Sequence, residues 1–497
     1  MLPIRLRTYR TSDIPMNTDL TAAQSDYAIY LPAISSFYST FVGRQRYEEY
    51  VPKERWPAGI PEMEMLNFFN PDEGLYHYQW GLYSAGHVNL DLHGPHDPKE
   101  AMIRERAKHT TVLADSGGFQ IAKGVWTGQW NNPNDKEAEK RRSLVFDWLC
   151  NISNYSMTLD IPTWAYKDPE VAKKIGIYSY NDAVEATKYN NEYFIKNRFG
   201  DAKFLNVLQG SNHAESDHWY EEVKDYSNPD KYENHFNGWS MGAQSMCDIH
   251  LILKRIVTLI YDGLLEEGVH DWMHFLGTSK LEWSVLFTDI QRAVREHHNA
   301  NFTISFDAAS PFLATRNAQI YTHTVTDDRK KWRYHSEQAA DSKTYCNDNR
   351  KYRDAVLEDK INKRFDNSPI SEKLLMSDIC HYAPGDLNKM GNEGKTSWDT
   401  FAYLLMMSHN VWHHINSVQE ANRQYDAGMI PGMLINDTFK VIKFRDLVQQ
   451  IFSAGSKKKS LEIIENNSRF WQSIIGTRGF TGKKVINAST QFNALFE

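Results

Sequence analysis

Three aspartates stand where apolar, β-branched runs give way to turns. They are Asp115 in TTVLADSGGFQ (110–120), Asp160 in YSMTLDIP (155–162) and Asp307 in NFTISFDAASP (301–311). An acid at the end of a buried strand is where a barrel enzyme keeps a reacting group. Two such carboxyls can work on a sugar: one attacks an electron-poor sugar carbon, and the other manages the proton on the leaving group. On this ground alone, Asp115 and Asp307 could make the chain a glycosidase. Each acid also has a plainer reading, as a cap for the helix after its strand or as a partner for the turn's own backbone. The glycines of Ser116-Gly117-Gly118-Phe119 let backbone N–H groups approach a flat ligand without Cβ interference. Further polar or glycine strand ends follow: Gln209-Gly210 after AKFLNVL, Met241-Gly242 after FNGWS, and Gly277 after DWMHFL.

Placing these residues together requires alternating strands and helices. The pattern predicts a strand and loop over 77–91, a helical segment over 98–109 and a strand ending at Asp115. A helix through SLVFDWLCNIS, the strand ending at Asp160, a helix over 178–198 and the strand ending at Gln209 come next. After another helix and the strand ending at Gly242, helices over 247–267 and 281–298 flank the strand ending at Gly277, and the strand ending at Asp307 closes the series. Such alternation implies parallel strands with crossover helices, and this many units favours an α/β fold of the (β/α)8 TIM-barrel type over an open sheet. The functional rim would collect Asp115, Asp160, Gln209, Gly242, Gly277 and Asp307.

Around residues 76–319, the main part of the barrel, the chain divides by composition. Residues 1–75 are rich in aromatics and proline and read as an irregular N-terminal cap with short helices. The loop beginning WTGQWNNPND (126–135) is long enough for a lid or a substrate contact. Residues 320–370 are highly charged and poor in aliphatics, which suggests an insertion or a solvated helical arm. Apolar helical periodicity returns at 397–420, within a last barrel segment over 371–435. Residues 436–497 read as a helical extension carrying Lys457-Lys458-Lys459 and Lys483-Lys484.

The 497 residues suit one large barrel with additions, and 41% hydrophobic and 13% aromatic residues supply a full core. A net charge of −7 excludes a generally basic nucleic-acid binder, so any polyanion site must be local. Four cysteines without paired spacing suit a reducing compartment, and the N-terminus has no apolar core of signal-peptide type. No apolar run approaches membrane-spanning length, so the expectation is a cytoplasmic protein without membrane association.

ADSGGFQ (114–120) resembles the signature of the tRNA-guanine transglycosylase family. The likeness continues in the family's order with LDIP (159–162), NVLQG (206–210), WSMGAQS (239–245), HFLG (274–277), ISFDAASP (304–311) and SHNVWHHINSVQEANRQYDAG (408–428). It covers roughly residues 80–430, and ADSGGFQ is its most specific motif. The resemblance implies that Asp307 attacks C1′ of a guanosine, that guanine leaves, and that a 7-deazaguanine base then attacks the same carbon. It casts Asp115 as the general acid/base and Asp160 as the acceptor of the N1–H and exocyclic amine of the base. Gln209 and the backbone at Gly242-Ala243 would read the O6 side, Phe119 and Leu276 would cover the two faces, and Ser116, Gly117, Gly118 and Gly210 would complete the base site. No cofactor is implied for the chemistry.

The family also carries a structural zinc on Cys-x-Cys-x-x-Cys and a later His. Here the corresponding stretch is Leu375-Met376-Ser377-Asp378-Ile379-Cys380, and only Cys380 and His409 stand at ligand positions. Cys346, Asp378 or His381 would have to complete a four-ligand set, or the metal is lost. The GGL-like turn of the tRNA enzymes is Gly242-Ala243-Gln244 here. These departures are similar to those of the DNA-guanine transglycosylases of phages and genomic islands, which place 7-deazaguanines of the preQ0 type in DNA. The implied partners are DNA and a free 7-deazaguanine base, with tRNA as the alternative polymer. A homodimer or helper DNA-opening proteins are further implied partners. A target guanine must leave its duplex to reach the rim. Candidate contacts are the Trp126–Trp130 loop, Arg329-Lys330-Lys331-Trp332-Arg333 and Lys457–Lys459, each also readable as an ordinary solvated face. The family further includes non-catalytic partner subunits, a role that the presence of both Asp115 and Asp307 argues against.

Overall fold

Short apolar runs separated by amphipathic helices form eight parallel strands in the computed structural model. The structure describes residues 16–94, 96–242, 248–278, 282–325, 333–381, 397–429 and 438–474. The strands are β1 (Ile29–Pro32), β2 (Trp80–Ser84), β3 (Thr111–Asp115), β4 (Tyr155–Met157), β5 (Lys203–Leu208), β6 (Gly238–Met241), β7 (Trp272–Phe275) and β8 (Thr303–Ala308). Their order is β1-β8-β7-β6-β5-β4-β3-β2, every pair parallel. The Ala33–Leu82 bridge and a 2.9 Å bond from Ile34 N–H to the Leu82 carbonyl bring β1 back to β2. The result is a nearly closed α/β barrel of TIM type, as the strand–helix alternation implied.

Alternation along each strand sorts side chains into two cores. Ile29, Leu31, Leu82, Leu113, Met157, Leu205, Val207 and Trp272 fill the barrel. Tyr30, Val112, Ala114, Phe204, Trp239, Met273, Phe275, Ile304 and Phe306 face outward under the helices. The parity that turns Leu113 and Val207 inward also turns Asp115 and Gln209 inward, two residues later at the C-terminal ends.

Two sequence expectations need correction. Residues 1–75 are more than a cap, because β1 is a barrel strand inside that stretch. Its four residues, IYLP, are all buried and show no alternation, so periodicity cannot mark them. The 320–370 stretch is not a solvated arm: β9 (Gln319–Val325) and β10 (Arg333–Gln338) form an antiparallel hairpin. Asn410 of the helix Thr400–Asp426 accepts the Tyr321 N–H at 2.8 Å, and Ala340, Tyr352, Phe365 and Ile370 are buried nearby. The charged residues hold the outside of this layer, and few apolar side chains suffice for its inside. In the 126–135 loop Trp126 and Trp130 are buried at 8% and 1% exposure, and Trp126 packs against Gly117, where an added Cβ would lie 2.5 Å from its ring. Asp135 caps the next helix, Lys136–Ile152, by accepting the Ala138 N–H at 3.0 Å, so that helix begins well before SLVFDWLCNIS.

The helix Thr400–Asp426 runs 27 residues and is buried along most of its length. Its N-cap, Asp399, accepts from Ala402 N–H at 2.8 Å and pairs with Arg55, whose Nη2 lies 2.9 Å and Nε 2.5 Å from the two carboxylate oxygens. Both side chains are almost fully buried, at 4% and 0% exposure. The C-terminal helices Thr438–Ser453 and Lys457–Asn466 pack on the barrel's outer helices, where His297 meets Gln449 at 2.9 Å and Lys457 pairs with Asp262 at 2.5 Å. The basic run is thus partly an internal tether. Lys483-Lys484, Arg329–Trp332 and the side chain of Arg333 lie outside the described residues. Among the described residues, no helix is long and apolar enough to cross a membrane.

Removing one partner of a buried ion pair strands the other charge, at about 3–5 kcal/mol. Asp399→Ala is therefore expected to lower the unfolding free energy by about that amount in urea. Replacing Lys140, in the solvated Lys140–Asp91 pair, should cost under about 1 kcal/mol. Equal effects would show that the Arg55–Asp399 pair does not hold the long helix to the N-terminal region.

Candidate active site

The C-terminal ends of the strands gather the predicted acids at one mouth. Asp115 ends β3 in register with Ser84 of β2, and the Ser84 hydroxyl donates to its Oδ2 at 2.6 Å. Burial pushes the Asp115 carboxyl above its ordinary value, opposed by the Ser84 hydroxyl and the Gly117 N–H. The neighbouring Asp307 charge raises it further, while His274 lowers it. Gly117 makes this turn with φ +83°, a conformation that costs a side-chain-bearing residue strain.

Asp307, at the end of β8, is 2% exposed. Its Oδ1 accepts the Gly277 N–H at 2.7 Å and lies 3.3 Å from His274 Nε2. Asp160 follows β4 and is 6% exposed. Its Oδ2 accepts from Gln209 Nε2 at 2.8 Å. Burial pushes the Asp160 carboxyl up to about 7, with the Gln209 amide opposing and the Asp115 charge adding to the rise. The three acids therefore form one electrostatic group, not three isolated caps. The backbone is tight here: a Cβ on Gly118 would lie 2.4 Å from the Asp160 carbonyl oxygen.

The remaining predicted residues divide between mouth and scaffold. Gly242 accompanies Gln209, and its N–H bonds the Leu208 carbonyl at 2.8 Å. Leu276 is partly buried against the inner core and lies beside β6, its N–H 3.2 Å from the Met241 carbonyl. Phe119 is half-buried and meets Trp164 edge-on at 5.6 Å, with Lys123 Nζ 5.6 Å from its centroid. Ser116 is fully buried and donates to the Thr158 carbonyl at 3.0 Å, so its hydroxyl ties β3 to the chain just after β4. Gly210 leads into the helix His213–Val223. Ala243 lies outside the described residues.

Two polar contributors had no role in the sequence expectations. Ser84 ends β2 as Asp115 ends β3, and a hydroxyl at the close of an apolar strand was its signal. His274 sits inside the HFLG segment, and its signal was a polar side chain in an otherwise apolar strand.

Among the described residues, the candidate zinc ligands do not converge on one site. His409 is fully buried with both ring nitrogens engaged: Nε2 lies 2.9 Å from the Tyr321 carbonyl, and Nδ1 lies 2.8 Å from Ser368 Oγ. A carbonyl accepts only, so Nε2 carries the proton and the Nδ1 lone pair faces the serine hydroxyl. The ring stacks on Phe365 at 5.1 Å and 9°. The Cys380 thiol points at the Ala340 carbonyl at 3.4 Å, and burial pushes it up to about 11. Asp378 accepts the Leu375 N–H at 2.7 Å, capping Met376–Ile379. Among the described residues, Cys346 and His381 included, no group of three or more His, Cys, Asp or Glu is arranged to hold a metal. This arrangement does not fit the four free donors that a structural zinc requires.

No protein-family model matches the chain, and no curated protein matches it. Fold and site geometry define an α/β barrel of TIM type with three largely enclosed carboxyls at its C-terminal mouth.

The raised Asp160 carboxyl has a consequence for stability. The folded state holds this proton up to about pH 7, whereas an aspartate in the unfolded chain releases it near 3.8. The native state thus binds more protons in that window, so stability falls as pH rises through it and levels off above. Asp160→Asn should remove this part of the slope and leave the protein more stable at pH 8 by about 1–4 kcal/mol, since a tenfold change in proton affinity is worth about 1.4 kcal/mol. Urea titrations at pH 5 and pH 8 provide the check, and parallel slopes in both proteins would refute it.

Proposed function

We propose that this chain is a base-exchange transglycosylase, which replaces guanine in DNA with a 7-deazaguanine through a covalent aspartyl–sugar intermediate. The supporting observation is the coupled set Asp115, Asp160 and Asp307 at one barrel mouth, each acid with different hydrogen-bond partners. Pentosyl transfer needs one carboxylate that attacks and one carboxyl that gives up a proton.

Asp307 is the nucleophile. Its carboxylate forms a bond to C1′ as the bond from C1′ to guanine N9 breaks, and the electron pair leaves with the base. Asp115, kept protonated more readily by burial, supplies the proton to the departing base. The incoming 7-deazaguanine returns a proton to Asp115 and attacks C1′, and the ester to Asp307 breaks. Bonds and protons balance, so no cofactor enters.

Asp160 selects the base. In its ionised form it accepts the N1–H and amino group of a guanine-like ring, while adenine offers no such pair and would leave the carboxylate buried and unpaired. The Gln209 amide has two hydrogens. One goes to Asp160, and the other serves O6. The preference for DNA over tRNA rests on the altered Gly242-Ala243-Gln244 turn and the incomplete zinc ligand set.

Nucleosides from DNA and tRNA of cells expressing the protein, supplied with 7-deazaguanine precursors, give the direct test by mass spectrometry. A modified deoxynucleoside that disappears with Asp307→Ala is expected, with exchange of labelled guanine falling at least about a thousandfold. Label in tRNA alone would assign the same chemistry to the other polymer. Unchanged modification in the variant would remove Asp307 from the mechanism.

Binding of the free base should follow Asp160. Only the ionised form accepts both donors, so guanine affinity should rise about tenfold per pH unit up to about pH 7 and then level off. Calorimetric titration from about pH 5.5 to about pH 8.5, spanning that range, checks this. A flat profile would overturn the role assigned to Asp160.

A further inference from the structure

The hydrogen bonds around β7 and β8 single out a residue of the HFLG segment to which the proposed chemistry gives no role. His274 is fully buried and stands in register with Ser305. Its Nδ1 lies 2.8 Å from Ser305 Oγ, and the same oxygen accepts the Trp272 indole N–H at 2.7 Å. An indole nitrogen only donates, and a serine hydroxyl has one hydrogen and two lone pairs. With one lone pair taken by Trp272, the hydroxyl hydrogen is free to point at His274 Nδ1. The second serine lone pair could instead accept from Nδ1–H, but a bare Nε2 would then turn its lone pair on the Asp307 carboxylate, so the neutral form of the ring that fits this site carries its proton on Nε2. That atom has no aligned hydrogen bond among the described residues, and Asp307 Oδ1 lies 3.3 Å from it.

We infer that the Trp272–Ser305–His274 chain locks the imidazole as an Nε2–H donor that holds Asp307 Oδ1, so that Asp307 reacts through Oδ2. Oδ1 also takes the Gly277 N–H at 2.7 Å, whereas Oδ2 accepts no hydrogen bond among the described residues. His274 is a positioning residue, acting on the sugar only through Asp307. This inference rests on the transglycosylase reading for its kinetic consequence, but the tautomer does not.

The consequence differs between the two half-reactions. When Oδ2 attacks C1′ and the bond to guanine breaks, Oδ1 becomes the carbonyl oxygen of the ester. When the new base attacks, the ester bond breaks and its electron pair returns to the carboxylate. Donors on Oδ1 stabilise that departing carboxylate, as preorganised donors do wherever charge develops. Without the His274 donor, the carboxylate is a better nucleophile and a poorer leaving group. The covalent adduct should therefore accumulate.

The test uses the full chain with a guanine-containing oligodeoxynucleotide and labelled guanine. For His274→Phe the expected result is a fall in kcat of about 10- to 100-fold, a KM for guanine within about threefold, and more denaturation-resistant protein–DNA adduct than in the wild type. His274→Gln, which keeps an N–H near the Nε2 position, should recover at least about tenfold of the lost kcat. Unchanged turnover in the Phe variant, or a Gln variant no better than Phe, would overturn the inference. The tautomer is read separately by 15N NMR of histidine-labelled wild-type protein, with the His274 signals assigned by their loss in His274→Gln. A protonated Nε2 and a bare Nδ1 are expected, and a protonated Nδ1 would overturn the inference even if exchange proceeds. Should the wild type exchange no guanine into any polymer, the proposed function fails while the NMR result still decides the tautomer.

Discussion

Burying carboxyl groups together is the constraint on which the mouth of this barrel depends. A carboxylate taken out of water loses its solvation, and a second one nearby adds repulsion. The barrel limits this cost with few donors, each from the acid's own turn, an adjacent strand or the turn that follows it: Ser84 and the Gly117 N–H for Asp115, Gln209 for Asp160, and the Gly277 N–H for Asp307. Among the described residues, no arginine or lysine bonds to any of the three acids. The proton affinities of Asp115 and Asp160 therefore stay high, which is the condition that proton-transfer chemistry near neutral pH requires.

Apolar packing inside and outside the strands offsets that cost. The inner core is apolar directly beneath the acids, from Leu113 and Val207 down to Ile29 and Trp272. Outside, the 27-residue helix Thr400–Asp426 joins the hairpin β9–β10 to the N-terminal region, with Asn410, His409 and Asp399 making specific bonds along its length. His409 shows how one residue type serves opposite ends. The motif position suggested a metal ligand, but in the fold its two nitrogens engage a serine hydroxyl and a backbone carbonyl. Those bonds satisfy buried polar groups that would otherwise remain unpaired.

Much of the architecture was legible because strand ends and helix faces leave strong local patterns. ADSGGFQ, LDIP, NVLQG and ISFDAASP each put a polar residue directly after an apolar run, and all four lie at the mouth. β1 was not legible, since four buried residues ending in proline carry no periodicity. The hairpin was hidden by composition: a layer that buries only a few side chains reads as polar when averaged over its length. Trp126 and Trp130 looked available for ligand contact because loop tryptophans carry no sign of what covers them. His274 stood inside a recognisable motif, yet its meaning depends on Ser305 and Trp272 through register, and register is invisible in a single strand.

The order of residues along the chain dictated the alternating α/β class, the parallel crossovers and the identity of the acids, because each follows from interactions among near neighbours. Which acids share one mouth, which hydroxyl or amide supports each, and which histidine nitrogen faces Asp307 were set by closure of the barrel. Closure brings the ends of β3 and β8 to a common rim, although Asp115 and Asp307 are separated in sequence by four intervening barrel strands, β4 to β7. The strand-end pattern marks each acid for the rim, but no local pattern encodes how near the acids come to one another there. The burial that then shifts proton affinities is a property of the whole enclosure, and so it exists only once every strand is in place.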